Sequence, residues 1–114
     1  MSSVEEITPP QSVPGVYSLA PGQAYGPTAS VWRYGDRPGF FSNFFGGAYR
    51  LPNDNTLICE GGKAHLFEVT PDKEIVWDFV NPWRDKGSLG SVYRCLRYSP
   101  EYVKPLLERI EHRQ

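Results

Sequence analysis

Residues 48–80 read AYRLPNDNTLICEGGKAHLFEVTPDKEIVWDFV, and this stretch decides the fold. It contains four short runs rich in β-branched and aromatic residues: Ala48–Leu51, Thr56–Glu60, His65–Val69 and Glu74–Val80. Between them stand Pro52-Asn53-Asp54-Asn55, Gly61-Gly62-Lys63-Ala64 and Thr70-Pro71-Asp72-Lys73. Each is a turn for a physical reason. Asn and Asp tolerate positive φ and bond their own backbone, Gly takes positive φ freely, and Pro71 sets φ at a first turn corner. Gaps of about four residues join only antiparallel neighbours, because a parallel pair needs a crossover of a dozen or more. The stretch therefore predicts a four-stranded antiparallel meander. Alternation puts Ile75, Trp77 and Phe79 on one face of the last strand and Val76, Asp78 and Val80 on the other. Neither face is cleanly polar, so the sheet calls for a neighbour on each side.

Working outward, Ser91–Tyr98 reads as a further strand, and a strand is expected near residues 30–35. Ser99-Pro100-Glu101 reads as a helix start, with a Ser cap, Pro at the first helical position and an acid in the first turn. Val103, Leu106, Leu107 and Ile110 keep helical spacing, and Pro105 places the start of the regular part near itself. Residues 111–114 are expected to fray. Residues 1–29 are rich in Pro, Gly, Ser and Ala, without a lasting period, and read as a flexible N-terminal segment with one short extended piece at Val16–Leu19. The expected organisation is a flexible segment 1–29, an all-β region 30–98 and a C-terminal helix and tail 99–114.

The chain repeats itself. Val31-Trp32-Arg33-Tyr34 resembles Val76-Trp77-Asp78-Phe79, 45 residues later, and Gly47-Ala48-Tyr49-Arg50 resembles Ser91-Val92-Tyr93-Arg94, 44 residues later. A period of 40–45 residues with four short strands per unit is the signature of a β-propeller blade. On that reading, 48–80 is one whole blade, flanked by the last strand of one neighbour and the first strand of another. A propeller needs at least four blades, roughly 160 residues. A chain of 114 residues cannot close a ring, so it needs further blades or self-association.

The residues Ala48-Tyr-Arg-Leu-Pro-Asn-Asp-Asn-Thr-Leu-Ile-Cys-Glu-Gly, then Leu66-Phe-Glu-Val-Thr-Pro-Asp-Lys-Glu-Ile-Val-Trp-Asp-Phe-Val-Asn-Pro, then Val92-Tyr-Arg-Cys-Leu-Arg-Tyr, carry a resemblance. Over residues 24–103 the chain resembles the C-terminal part of arylsulfotransferase-like β-propeller proteins. The resemblance implies sulfuryl transfer from a phenolic sulfate ester to another phenol, through a transiently sulfated histidine with further His and Arg residues in an axial funnel. It also implies export, as family members often carry signals for it. Asp54 and Lys73 stand where the family turns carry Gly. Gly46-Gly47 stand where the resemblance would put the active histidine, and residues 1–64 contain none. The expectation is a C-terminal fragment of such a protein, inactive alone, with an aryl sulfate or phenol bound only in the parent. The alternative is a non-catalytic, propeller-derived binding or scaffold module that self-assembles or docks to a partner.

Composition narrows the classes. The net charge is −1, with 12 Lys+Arg against 13 Asp+Glu and no basic block, which argues against nucleic acid. No apolar run reaches the ~18 residues of a membrane span. The start, Met1-Ser-Ser-Val-Glu-Glu, has no apolar core of a signal peptide, so the chain as written reads as cytoplasmic. Gly and Pro, 11 each, favour short strands and tight turns over a helical bundle. Cys59 and Cys95 are too few and too far apart for a disulfide framework or a zinc site, and read as small buried residues.

Arg50 and Arg94 recur at the repeat offset on the first strand of each unit. A guanidinium grips a sulfate with two parallel hydrogen bonds, so both are candidate anion-binding residues; the plainer reading pairs each with an acid of a neighbouring blade. No catalytic residue is assigned. His65 has no carboxylate obviously placed to orient it and reads as structural or surface, and His112 lies in the tail. Trp32 and Trp77 could stack on a phenol or a quinone, but read as packing between blades. Gly61-Gly62 precede no helix and so cradle no phosphate, and Asn53-Asp54-Asn55 offer too few oxygens for calcium. No cofactor or metal is expected.

Overall fold

The computed structural model describes residues 1–35, 38–83 and 90–111. The regular structure of the described residues is mostly strands, in two antiparallel sheets, with one short C-terminal helix. Strands β3 (Gly46–Arg50), β4 (Thr56–Glu60), β5 (His65–Val69) and β6 (Ile75–Val80) form a meander in the order β3-β4-β5-β6. Strands β1 (Val4–Glu6) and β2 (Trp32–Tyr34) form a two-stranded ribbon. Helix α1 covers Pro100–Glu111.

The hairpins close as their turn residues dictate. Asp54 N–H donates to Leu51 C=O at 3.0 Å, and Lys73 N–H donates to Thr70 C=O at 2.9 Å. Asp54 and Lys73 then sit at φ +66° and +71°. Both loops are thus a turn followed by a left-handed residue, the usual three-residue hairpin connection. The middle loop differs: Gly61–Lys63 is one turn of 3-10 helix, closed by Ala64 at φ +58°. Gly61 has a packing reason to be glycine, since a Cβ there would stand 2.3 Å from Val92 O and 2.8 Å from Phe45 O.

Register fixes the two faces. Tyr49, Leu57, Glu68 and Trp77 share one, with Gly47, Cys59, Leu66 and Phe79. Ala48, Ile58, Phe67 and Asp78 share the other, with Gly46, Glu60, His65 and Val80. A bulge between Glu68 and Val69 shifts the last pair, so Ile75 lies beside Val69 and not on the face of Trp77 and Phe79, as strict alternation predicts.

Both faces have a neighbour, as their apolar character requires. The β1–β2 ribbon lies on the Phe67 face, where Tyr34, Ile58, Phe67 and Val69 form the core with Val4, Trp32 and Phe40 against it. Tyr34 meets Phe67 at 5.7 Å between ring centroids, and Phe40 meets both rings edge-on. The opposite face is crossed by residues 90–98: Val92 N–H donates to Gly61 C=O at 3.0 Å, and Cys59 Sγ lies 3.6 Å from Val92 O. Strand β4, at the centre, is buried along its whole length.

Three expectations need correction. Residues 91–98 are not a strand, because they lie across the sheet face with no partner to share a ladder among the described residues. Residues 4–6, read as part of an irregular tail, pair with β2. Helix α1 runs through Pro105 instead of starting near it. Its start is otherwise as expected: Pro100 is the first helical residue, and Tyr102 N–H donates to Ser99 Oγ at 3.2 Å. Residues 112–114, expected to fray, lie outside the described residues.

Candidate functional site

The two candidate arginines are not brought together. Arg50 ends β3 on the ribbon side. Its Nη1 donates to Asp54 O and to Thr56 Oγ1, both at 2.7 Å, and its Nη2 bonds Glu6. The guanidinium also lies 4.7 Å from the ring centre of Trp32. The side chain therefore clamps hairpin β3–β4 to the β1–β2 ribbon. Its acid partner, Glu6, stands on the β1–β2 ribbon. Arg94 belongs to the segment crossing the other face; it is exposed and makes no ion pair among the described residues. Of the pair, Arg94 is the side chain free to meet an anion from solvent.

Sequence reasoning missed the charged cluster at the end of the meander. His65 does have orienting carboxylates: Nδ1 lies 3.0 Å from Glu60 Oε2, and Nε2 lies 2.6 Å from Asp78 Oδ2. The ring stacks on Phe67, centroids 4.7 Å apart and planes 22° apart. Glu60 is buried, and its Oε1 accepts from Phe41 N–H at 2.8 Å and from Lys63 Nζ at 2.5 Å. The signal was available in the hairpins. A four-residue loop after Glu60 sets it opposite His65, and the β5–β6 register puts Asp78 one diagonal step away.

Electrostatics follow from these contacts. Burial works against a charge on His65, but the hydrogen bonds to Asp78 and Glu60 outweigh it and raise its pKa above the ordinary value. Burial likewise works against the Glu60 carboxylate, but the bonds from Lys63, His65 and Phe41 N–H outweigh it and lower its pKa. While both contacts hold, His65 presents no free nitrogen for nucleophilic attack.

A second buried acid holds the crossing segment. Glu68 accepts from Asn55 Nδ2 at 2.7 Å and from Arg97, so both of its oxygens are used. Beside it, Leu57, Glu68, Val76, Trp77, Cys95 and Leu96 line an open groove. Both cysteines are free thiols, with Cys59 buried and Cys95 half-buried, and burial pushes both above the usual thiol range.

The two tryptophans repeat in geometry as well as in sequence. Trp32 stacks on Tyr34 with centroids 6.3 Å apart and planes 17° apart. Trp77 stacks on Phe79 with centroids 6.1 Å apart and planes 14° apart. The first stack lies against the meander, with Tyr34 only 2% exposed, whereas Phe79 is 37% and Trp77 45% exposed. Among the described residues no group of His, Cys, Asp and Glu is arranged to hold a metal ion. No helix among them is long and apolar enough to cross a membrane. In comparisons with known proteins, no family model matches the chain, and neither the curated proteins nor the solved structures give a significant match.

Proposed function

We propose that the chain is a blade-bearing part of an arylsulfotransferase-like β-propeller and supplies structure, not sulfuryl-transfer chemistry of its own. The observation that carries this reading is the pair of aromatic stacks 45 residues apart. One is covered by the four-stranded sheet that follows it in sequence. The other, Trp77 on Phe79, lies on the outer strand of that sheet and is left half-exposed. Repetition of the unit would cover the second stack as the first is covered. Residues 90–98, which cross the sheet on the side of Trp77, would then be the first stretch of the next unit.

Chemistry argues for a non-catalytic role in isolation. Transfer through a sulfated histidine requires a free ring nitrogen, and both nitrogens of His65 face carboxylates. Arg50 is fully engaged, so within a complete ring Arg94 would be the arginine to bind sulfate. The test is an aryl-sulfate assay with p-nitrophenyl sulfate as donor and a phenol as acceptor. The expected result is no p-nitrophenol release above that of a His65→Gln variant. Turnover that depends on His65 would refute the reading.

One observation favours a second reading, a binding or scaffold module that assembles with copies of itself or docks to a partner. The chain exposes 8962 Å², whereas a compact monomer of 12.9 kDa exposes about 6,300 Å². Its radius of gyration is 18.6 Å, against about 13 Å for a compact domain of this length. Trp77, Val80, Tyr93, Leu96, Leu107 and Ile110 are among the large apolar residues at that surface.

A further inference from the structure

We propose that His65 is a proton-operated latch that fastens the outer strand β6 to the buried end of β4 across β5. Both contacts are hydrogen bonds to carboxylates at the same time only when the ring is doubly protonated. A carboxylate only accepts hydrogen bonds, and the two ring nitrogens face one carboxylate each, at 3.0 Å and 2.6 Å. An imidazolium donates to both. A neutral imidazole has a single N–H, so it must turn a lone pair toward one of the two acids. Stacking on Phe67 holds the ring plane, and both nitrogens keep their directions.

Every element packed around the ring bears on its charge. From β4 comes Glu60, and from the 3-10 turn comes Lys63, which bonds Glu60 and also Gly39 O. From β6 comes Asp78, with Val80 directly opposite His65. Tyr34, Phe40 and Ile75 line the small cleft beside the ring. Among the described residues, two carboxylates are therefore balanced by Lys63 and a protonated His65. Loss of the proton leaves the cluster with a net negative charge.

The two contacts are unequal. Glu60 is 4% exposed and also held by Lys63 and Phe41 N–H, whereas the Asp78 side chain is 55% exposed on an edge strand. On deprotonation Asp78 is the partner that leaves. Strand β6 then keeps its backbone ladder to β5 but loses its tie to β4. Because β6 carries the Trp77–Phe79 stack, the proton sets how firmly that stack is held. The direction of the ring's pKa fits this: it is raised, so the latch is closed below pH ~6.5 and opens as pH rises through the folded-state value. The inference does not depend on the propeller reading.

The test is a proton NMR titration of the full chain, with His65→Gln used to assign the ring signals against His112. The expected midpoint for His65 lies above 6.5, and Asp78→Asn lowers it. Hydrogen exchange of β6 amides, corrected for intrinsic rates, supplies the second reading. In the natural protein, protection should fall as pH rises through the His65 midpoint, by roughly tenfold for each unit of pKa elevation. In Asp78→Asn it should be low and flat throughout. A midpoint at or below 6.5, or the same pH profile of β6 protection in both proteins, would overturn the latch.

Discussion

Replacing Arg50 and Arg94 in parallel separates a structural arginine from an exposed one. Arg50→Ala removes three kinds of contact at once: the bonds to Asp54 O and Thr56 Oγ1, the pair with Glu6, and the stack on Trp32. Its side chain is 34% exposed and that of Glu6 is 49% exposed, so solvent discounts the ion pair to about 0.5 kcal/mol. The cation–π contact at a partly exposed site adds about 0.5–1 kcal/mol. Two hydrogen bonds from a charged group, discounted in the same way, add about 1 kcal/mol. The expected loss is about 2 kcal/mol, a fall in Tm of about 8 °C for a domain of this size. Arg94→Ala has no described partner to lose and should change Tm by less than about 2 °C, in line with substitutions at exposed sites. Differential scanning fluorimetry of the two variants beside the natural protein reads both values. Equal, small shifts would show that the Arg50 clamp contributes nothing and would return Arg50 to the anion-binding candidates.

Lys73→Gly should stabilise the protein by about 1 kcal/mol, because Lys73 occupies a left-handed φ of +71° that costs a residue with a Cβ; urea unfolding gives the value, and a loss of stability would contradict it. Gly61→Ala should do the opposite, by more than about 2 kcal/mol, because its Cβ meets the backbone oxygens of Val92 and Phe45. The same variant should loosen residues 90–98, seen as faster proteolysis after Arg94 and Arg97, and unchanged cleavage would mean that Gly61 does not anchor that segment.

The meander was legible because its information is local. Turn residues, loop lengths and β-branched runs sit next to one another, and Thr56–Glu60 and His65–Val69 end where the sequence places them. Asp54 is a residue type that tolerates the positive φ it adopts, whereas nothing local in the sequence marks Lys73 for one. What escaped depends on contacts distant in sequence. Strand β1 is three residues, two of them acidic, and becomes a strand only through a partner 28 or so residues away. Residues 91–98 have strand-like composition, yet their contacts are to Gly61, Cys59 and Glu68 on the face of a sheet, where no ladder can form. Ile75 changes face because of a bulge that alternation does not encode. Of the candidate site, Arg50 and Arg94 were found by repetition, but only geometry separates the clamped one from the exposed one. The acids around His65 could be reached from hairpin register, and simple sequence proximity hides one of them, 13 residues away.

The central claim is that this sheet belongs to an assembly of like units and is not a self-sufficient monomer. Size-exclusion chromatography with multi-angle light scattering, run alongside circular dichroism on the purified chain, tests it most directly. The account predicts a β-rich oligomer of three or more copies. A stable, cooperatively unfolding monomer of 12.9 kDa would contradict it.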